Sequence, residues 1–308
     1  MQPTTNKAPG YVALCITSIV WGSTWVVSKI GVAEIPALQM AYIRQFMAGS
    51  IFVLFFLLYK KIPLPTTKQF RWLFIMAIIM FTSANGLSTW GIQYIPAGMG
   101  SLIGALYPLS VVIFEKMFFK SAPLTPITFA GLFLGIAGIA IVFYENAFHH
   151  TGSNYVFGII LSVIAMLSWS LGTIFIARNK VDINPYYGVG WQMLISSVIL
   201  FVIMETTQKT VAFTAISAKV WWVIAYLVLL GSVMAFIAFI FSMKKLPAAI
   251  ASLYAYINPF VAMITAYFVL HEKLSIHILW GSIVTIVGVY LVNYSIKRSK
   301  KIMVEGEI

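Results

Sequence analysis

Long apolar runs are the sequence feature that most constrains the fold of this chain. Ten such runs follow one another, separated by short stretches that contain charged residues, Pro or Gly. The runs predict helices near 11–32, 36–59, 70–94, 97–119, 124–144, 155–177, 186–206, 219–243, 247–270 and 275–296. A helix of about 20 mostly apolar residues spans a bilayer core. The sequence therefore predicts an all-α integral membrane protein with ten transmembrane helices.

The composition leaves little material for anything outside the membrane. Of the 308 residues, 61% are apolar and only 9% are charged, whereas soluble domains carry about 25% charged residues. Cys15 is the only cysteine, so no disulfide forms within the chain. There is no Gly-rich phosphate fingerprint, no metal-ligand spacing and no nucleophile with a matching base at membrane depth. We therefore expect no enzyme activity, no cofactor and no metal site.

Basic residues indicate the orientation of the chain. The termini and every second predicted loop hold 15 of the 20 Lys and Arg residues. These are Lys7, Lys60, Lys61, Lys68, Arg71, Lys116, Lys120, Arg178, Lys180, Lys244, Lys245, Lys297, Arg298, Lys300 and Lys301. Because Lys and Arg in short loops resist translocation, we expect a multi-pass protein of the cell (inner) membrane with both termini in the cytoplasm. The basic tail is expected to contact lipid headgroups, and no nucleic-acid partner is predicted.

An internal repeat divides the chain into two halves. Pro96 and Pro108 recur as Pro247 and Pro259 at a constant offset of 151 residues. Ser101 and Ser252 share this offset. Further matches, with small changes of offset, are Pro36 with Pro185, Trp21 with Trp169, Gly131 with Gly281 and Gly138 with Gly288. The repeat predicts two units of five helices, residues 1–147 and 148–308.

The odd number of helices in each unit has a topological consequence. After five crossings the second unit enters the membrane in the opposite sense, so the two units form an inverted repeat. Secondary transporters use this design, with the substrate near the midplane between the repeats and alternating access to the two sides. Channels, receptors and membrane enzymes have no need of such symmetry. The repeat is therefore the strongest sequence evidence for a transporter.

Several motifs resemble a known family. They are Ser18-Ile-Val-Trp21-Gly22-Ser23, Arg44, Ser168-Trp169 with Arg178, the Pro-centred helices 4 and 9, and His271-Glu272-Lys273-Leu274-Ser275 before Gly281. Together they resemble the EamA-type families of the drug/metabolite transporter superfamily over roughly residues 10–296. The resemblance implies ten helices, cytoplasmic termini and transport of small metabolites, often amino acids or related compounds leaving the cell. One departure is Ala122, which stands where the family pattern has an acidic residue before helix 5.

Two prolines lie near the middle of predicted helices. Pro108 and Pro259 each remove a backbone hydrogen bond and press on the carbonyl four residues earlier, so a kink is expected in helices 4 and 9. Kinked helices at matching positions of two repeats indicate a transporter's binding site. The alternative is simple accommodation in the bilayer, where Pro is frequent.

The repeat symmetry breaks at polar positions, and these positions are the candidate site. Helix 3 carries Asn85 and Ser88 where helix 8 has Phe236 and Phe239. Helix 9 carries Tyr254, Tyr256 and Asn258 where helix 4 has Ile103, Ala105 and Tyr107. Because amides are costly against lipid tails, we expect Asn85, Ser88, Tyr107, Tyr254, Tyr256 and Asn258 to face a substrate cavity. The alternative is hydrogen bonding between helices.

Four further side chains are candidates. Trp21 and Trp169 lie deep in their helices and recur between halves, so they are candidates for stacking on a substrate. Arg44 lies about 12 Å along helix 2 and either binds a substrate carboxylate or has a structural role. Glu115 is the best available proton site if transport is coupled to protons.

These patterns favour a secondary transporter that exports or exchanges a small amphipathic metabolite such as an amino acid or its analogue. A cavity poor in charge suits a zwitterionic, neutral or weakly cationic solute. The alternatives are an exchanger or importer of a vitamin, sugar or nucleobase, and a non-transporting protein such as a lipid scramblase. The expected partners are the small-molecule substrate and membrane lipids. The small residues of helices 5 and 10 predict that these two helices pack as a supporting pair between the halves, with a homodimer through them as the alternative.

Overall fold

The structure, a computed structural model, consists of helices connected by short turns. It describes residues 7–118, 125–149, 153–178, 181–207, 210–246, 250, 253–273 and 275–305. In chain order the helices are α1 (Ala8–Val32), α2 (Ala37–Tyr59), α3 (Thr67–Gly91), α4 (Ala97–Phe118), α5 (Pro126–His149), α6 (Ser153–Arg178), α7 (Pro185–Thr207), α8 (Ala218–Lys245), α9 (Tyr254–Leu270) and α10 (Ile276–Glu305). Within the described ranges, eight of them are long and apolar enough to cross a membrane, and the apolar parts of α5 and α9 are shorter. The predicted all-α fold with ten helices is confirmed.

Local sequence signals set several helix ends. Pro36, which has no backbone N–H, is the N-cap of α2. Thr66 and Gln69 form a capping box at the start of α3, and the hydroxyl of Ser217 caps α8. His271 adopts a left-handed conformation that ends α9. These signals keep the connections short and place consecutive helices antiparallel.

The two repeats exchange their first helices. Helix α1 packs mainly on α8 and α9 of the second repeat, whereas its equivalent α6 packs mainly on α3 and α4 of the first. Helix α2 packs on its own equivalent α7, and α5 packs on its equivalent α10. The pairs α2/α7 and α5/α10 therefore lie along the pseudo-two-fold axis, as an inverted repeat requires.

Small residues allow the backbones to approach closely along this axis. A Cβ atom on Gly138 would lie 2.5 Å from the carbonyl oxygen of Gly281, and one on Gly131 would lie 2.7 Å from that of Gly288. A side chain at these positions would separate α5 from α10. The glycines that the sequence repeats therefore serve packing between the halves.

At one pair of equivalent contacts, the glycine and the larger side chain come from opposite helices. Gly172 on α6 faces Met80 on α3, and at the equivalent contact Gly231 on α8 faces Thr24 on α1. The larger side chain thus comes from α3 in one contact and from α1 in the other. Each contact thus pairs a glycine with a larger side chain, which lets the two helices pack closely.

Irregular backbone occurs at corresponding positions of the two repeats. Helix α3 contains a π-helical stretch over Ala77–Gly86, and α8 contains one over Leu229–Met234. Such stretches are frequent at functional sites. Helix α4 is interrupted at residues 105–106, just before Pro108. Pro259, in contrast, lies inside the continuous helix α9.

Some predicted features fall on parts of the chain that the structure does not describe. Pro247, Ser252 and Ala122 lie outside the described residues. The side chains of Lys297, Lys300 and Lys301 in the basic tail also lie outside them.

Candidate functional site

A cavity of about 180 Å³ lies between the two repeats. Six helices contribute to its wall, namely α1, α3, α4, α6, α8 and α9, together with Arg44 of α2. Eight of the candidate residues line it: Trp21, Arg44, Asn85, Ser88, Tyr107, Trp169, Tyr254 and Asn258. Helices α4 and α9, which carry the paired prolines, meet at this cavity. The structure therefore brings these candidates from both halves of the sequence to one place.

Aromatic rings form one side of the cavity around Trp21. Its ring centroid lies 6.3 Å from that of Trp169, 5.2 Å from that of Phe236 and 5.2 Å from that of Tyr254. The Tyr107 ring stacks on Tyr254 at 6.3 Å. These rings come from α1, α4, α6, α8 and α9, so the cluster joins both repeats. It offers flat apolar faces and ring edges to a bound solute.

Arg44 is the only Lys, Arg, His, Asp or Glu among the described lining residues. Its Nε donates to the hydroxyl of Ser232 at 2.9 Å, and its Nη2 donates to the carbonyl oxygen of Gly231 at 3.3 Å. The Trp21 indole also donates to the Gly231 carbonyl, at 3.1 Å. Gly231 and Ser232 belong to the π-helical stretch of α8. The guanidinium is thus held by polar groups of α8 and has further N–H groups that these two acceptors do not use.

Two amides lie on different walls of the cavity. Asn85 of α3 accepts a hydrogen bond at Oδ1 from Nε2 of Gln45, at 3.2 Å. The amide of Asn258 on α9 lies against two acceptors, the carbonyl oxygens of Ser18 at 2.9 Å and Tyr254 at 3.0 Å, and we assign its nitrogen to the side that faces them. The two amides are therefore oriented by different neighbours.

Sequence reasoning missed several lining residues. Thr24, Trp25 and Ser28 of α1 line the cavity together with Trp21. Their spacing of three or four residues matches one face of a helix, and this periodicity is the signal that would have found them. The same spacing joins Ser162 and Met166 of α6 with Trp169. It also joins Thr89 of α3, and Ile92 directly after α3, with the candidates Asn85 and Ser88. Ser101 and Phe236 also line the cavity.

Two candidates lie elsewhere. The hydroxyl of Tyr256 donates to the carbonyl oxygen of Val289 on α10 at 3.1 Å and also contacts the amide of Asn293. Tyr256 is two positions from Tyr254, about 200° around a helix, so both rings cannot face one cavity. Glu115 is 43% exposed at the end of α4, where its carboxylate lies 3.8 Å from the guanidinium of Arg178. It is therefore separated from the cavity.

A lysine holds the turn between α3 and α4, next to the cavity. The ammonium of Lys29 lies 2.6 Å from the carbonyl oxygen of Ile92, 3.2 Å from that of Gln93 and 2.9 Å from that of Ile95. A cation at the C-terminal end of a helix interacts favourably with the helix dipole. Lys29 therefore fixes the end of α3 to α1.

A carboxylate holds the other side of the same turn. Oε1 of Glu272 accepts from the backbone N–H of Ala97 at 2.8 Å, and Oε2 accepts from that of Gly98 at 3.3 Å. These are the first N–H groups of α4, which lack partners within the helix. Glu272 belongs to the α9–α10 connection, so the turn is held by both repeats. We name the pair Lys29 and Glu272 the turn clamp.

Comparisons with known proteins agree with this architecture. The model of the EamA-like transporter family matches twice, over residues 8–144 and 156–294. A 258-residue alignment is 30% identical to YedA, an uncharacterized inner membrane transporter of Escherichia coli K12, and covers 83% of this chain and 81% of YedA. YoaV, an uncharacterized transporter of Bacillus subtilis, is 23% identical over 92% of this chain and 96% of its own.

A solved crystal structure shows the same fold at low sequence identity. It has a TM-score of 0.64 and 14% identity, and covers 93% of this chain and 98% of that protein. The double match to the family model agrees with the duplicated repeat predicted from the sequence. The chain is a multi-pass inner-membrane transporter and not an enzyme. By these matches it belongs to the EamA-like transporter family.

Proposed function

We propose that this transporter exports a small amphipathic metabolite, such as an amino acid or an analogue, by alternating access around the cavity between the repeats. The observation that carries the proposal is the composition of the cavity wall. Aromatic rings, amides and hydroxyls surround a single charged side chain, Arg44, among the described lining residues. Such a wall favours a solute with an apolar body and a few polar groups.

The charge of the wall narrows the class of solute. A polyanion such as a nucleotide sugar or a phosphate ester is normally bound by several Lys or Arg side chains. The described wall offers only Arg44, and two of its N–H groups are used by Ser232 and Gly231. A zwitterionic, neutral or weakly cationic solute therefore fits better.

Counterflow in proteoliposomes tests the proposal. Vesicles that contain the purified chain are preloaded with unlabelled amino acids, vitamins or nucleobases, and the uptake of the labelled solute is measured. We expect accumulation of the amino-acid class and a loss of at least tenfold in Asn258→Ala and Asn85→Ala, since each change removes an amide of the cavity wall.

A matched control tests whether the loss of transport is specific to the amides of the cavity wall. Asn154 is exposed at the start of α6 and lies outside the cavity, so Asn154→Ala should transport like the parent chain. Accumulation of vitamins or nucleobases instead of amino acids would contradict the proposed substrate class. No counterflow across the panel, together with exchange of labelled lipid between leaflets, would replace the proposal with a scramblase function.

We further propose that both termini lie in the cytoplasm, on the basis of the positions of Lys and Arg along the chain. In this orientation the turn clamp faces away from the cytoplasm. A C-terminal green fluorescent protein fusion should fluoresce, and a C-terminal alkaline phosphatase fusion should be inactive. The reverse result would invert the topology.

We also propose that the chain forms a homodimer. The glycine faces of α5 and α10 pack against each other within one chain, as expected for a supporting pair between the halves. A dimer would therefore use the outer faces of these helices, where Phe129 and Phe133 of α5 are exposed. Light scattering with sizing in detergent should give twice the mass of one chain, and a single-chain mass would reject the dimer.

A further inference from the structure

Gln45 is a buried side chain behind the cavity wall, at the junction of α2 with α3. It is 2% exposed and is not among the residues that line the cavity. Its Nε2 donates to the carbonyl oxygen of Phe81 at 3.1 Å and to Oδ1 of Asn85 at 3.2 Å. Its Oε1 is buried and has no hydrogen-bond partner among the described residues. An unpaired buried oxygen is costly, so this arrangement needs an explanation.

The Phe81 carbonyl determines which way the Gln45 amide points. A carbonyl oxygen can only accept, so the nitrogen of Gln45 must face it. That same nitrogen then faces Asn85, which must present its oxygen in return. The oxygen of Asn85 therefore faces Gln45, and its nitrogen lies on the opposite side of the amide group. Asn85 itself lines the cavity. The α3 wall therefore presents hydrogen-bond donors to a ligand.

The opposite polarity occurs on α9. There the side-chain nitrogen of Asn258 is used by the carbonyl oxygens of Ser18 and Tyr254. The side-chain oxygen of Asn258 is consequently the group available to a ligand, and an amide oxygen accepts hydrogen bonds. One wall thus presents the donors of Asn85 and Arg44, and the facing repeat presents an acceptor.

We propose that Gln45 is a positioning residue for substrate selection. It fixes the amide of Asn85 as a donor, so that Asn85 and Arg44 bind the carboxylate or carbonyl end of the solute while Asn258 accepts from its amino end. This inference rests on the proposed function and sharpens its substrate class to solutes that carry an acceptor group and a donor group at once. The desolvated oxygen of Gln45 is the cost of holding Asn85 in this orientation.

Ligand binding to the purified full chain in detergent tests this inference without transport. The probes are L-leucine, L-leucinamide, which lacks the carboxylate, and 4-methylpentanoate, which lacks the amino group. Binding is measured as a change in intrinsic tryptophan fluorescence, since Trp21, Trp25 and Trp169 line the cavity. The parent chain should bind leucine about tenfold more tightly than either of the other probes, because each lacks one charge-assisted contact.

Asn85→Asp should reverse the preference at the α3 wall. The aspartate can still accept from Gln45, but its second oxygen would face the cavity as an acceptor and would repel a carboxylate. We expect affinity for leucine and 4-methylpentanoate to fall about tenfold or more, and affinity for leucinamide to be retained. Equal weakening of all three probes would contradict a donor role of Asn85.

Gln45→Met tests the positioning role, since methionine has a similar shape but no N–H group. The preference for leucine over leucinamide should fall about threefold or more, because Asn85 is then free to turn. In an Asn85→Leu background the same change should leave this preference unaltered. Gln192→Met is the matched control, because Gln192 is a buried glutamine of α7 outside the cavity, and it should leave all three affinities unchanged.

The outcomes separate this inference from the proposed function. Uniform loss of affinity in Gln45→Met, or a further change of preference in the double variant, would show a merely structural role and would overturn the inference. Absence of any fluorescence response to the three probes would also overturn it. The transporter proposal fails only if counterflow is absent across the whole panel of solutes.

Discussion

Helices α3 and α8 occupy equivalent places in the two repeats and flank the same cavity, yet they present different surfaces to it. Both contain a π-helical stretch at matching positions. Helix α3 places Asn85 and Ser88 at the cavity, whereas α8 places Phe236 there, and Phe239 packs on Trp21. The backbone is thus repeated while the chemistry is not. The difference teaches that the symmetric framework serves the fold and that departures from symmetry mark the binding surface.

A second departure from the repeat symmetry concerns the contact between α2 and α8. Arg44 of α2 donates to Ser232 of α8, and the equivalents of these residues in the other repeat are Met193 and Phe81, both buried in the apolar core. The same pair of positions therefore holds a polar contact in one case and two apolar core residues in the other. Substitutions that give one repeat the residue of the other are direct tests of this comparison.

The largest effect on stability is expected for Phe236→Asn, which gives α8 the residue that α3 has. The change removes a ring that contacts Trp21 at 5.2 Å and Phe81 at 5.7 Å. Truncating a buried Phe costs about 3–5 kcal/mol, so the melting temperature in detergent should fall clearly. Unchanged melting would show that the aromatic side of the cavity does not support the fold.

Arg44→Met gives α2 the residue of α7 and should affect transport more than stability. An apolar side chain in place of a buried charge is often tolerated, so we expect a loss of less than about 2 kcal/mol. Counterflow should fall more than tenfold, because the cavity loses its only lining cation among the described residues. The comparison of thermal melting with counterflow checks this separation, and equal losses in both would assign Arg44 a structural role.

Glu272→Ala gives the second repeat the residue that Ala122 supplies in the first. It removes the acceptor for the N–H groups of Ala97 and Gly98. Loss of such a capping acceptor costs about 1 kcal/mol, so the melting temperature should decrease modestly. Lys273→Ala, at the next residue and outside the turn clamp, is the control. A larger effect of the control would contradict the capping role.

The smallest effect is expected from pH at the α1–α2 connection. Glu34 accepts hydrogen bonds from Lys219 at 2.8 Å and Ser217 at 2.7 Å, and the Lys219 contact is the main reason that the pKa of Glu34 lies below its ordinary value of 4.5. The stabilisation is therefore present above pH 4.5 and is lost as the pH falls through the lower pKa of the folded state. Glu34→Ile carries the residue of the equivalent position, Ile183, and its melting temperature should lack this step.

The fold could be predicted almost entirely from the sequence. The lengths of the apolar runs reflect the thickness of a bilayer, and the recurring Pro and Gly positions reflect a five-helix unit that occurs twice. Much of the cavity wall could be predicted as well, since broken symmetry singles out residues such as Asn85 and Asn258. The orientation of a side chain around its helix was harder, as the positions of Tyr256 and Trp25 illustrate. The π-helical stretches could not be predicted, because a shift in backbone hydrogen bonding leaves no residue signature.

The exchange of α1 and α6 between the repeats bears on how the chain is made. A ribosome that has released the first five helices has produced α3 and α4 but not α8 and α9, on which α1 packs. When α6 is synthesised, its main packing partners α3 and α4 have already been made. Helix α1 must wait for more than 200 further residues to be synthesised. The order of synthesis is therefore asymmetric although the architecture is symmetric, since α1 gains its main packing partners only when the second half has been made.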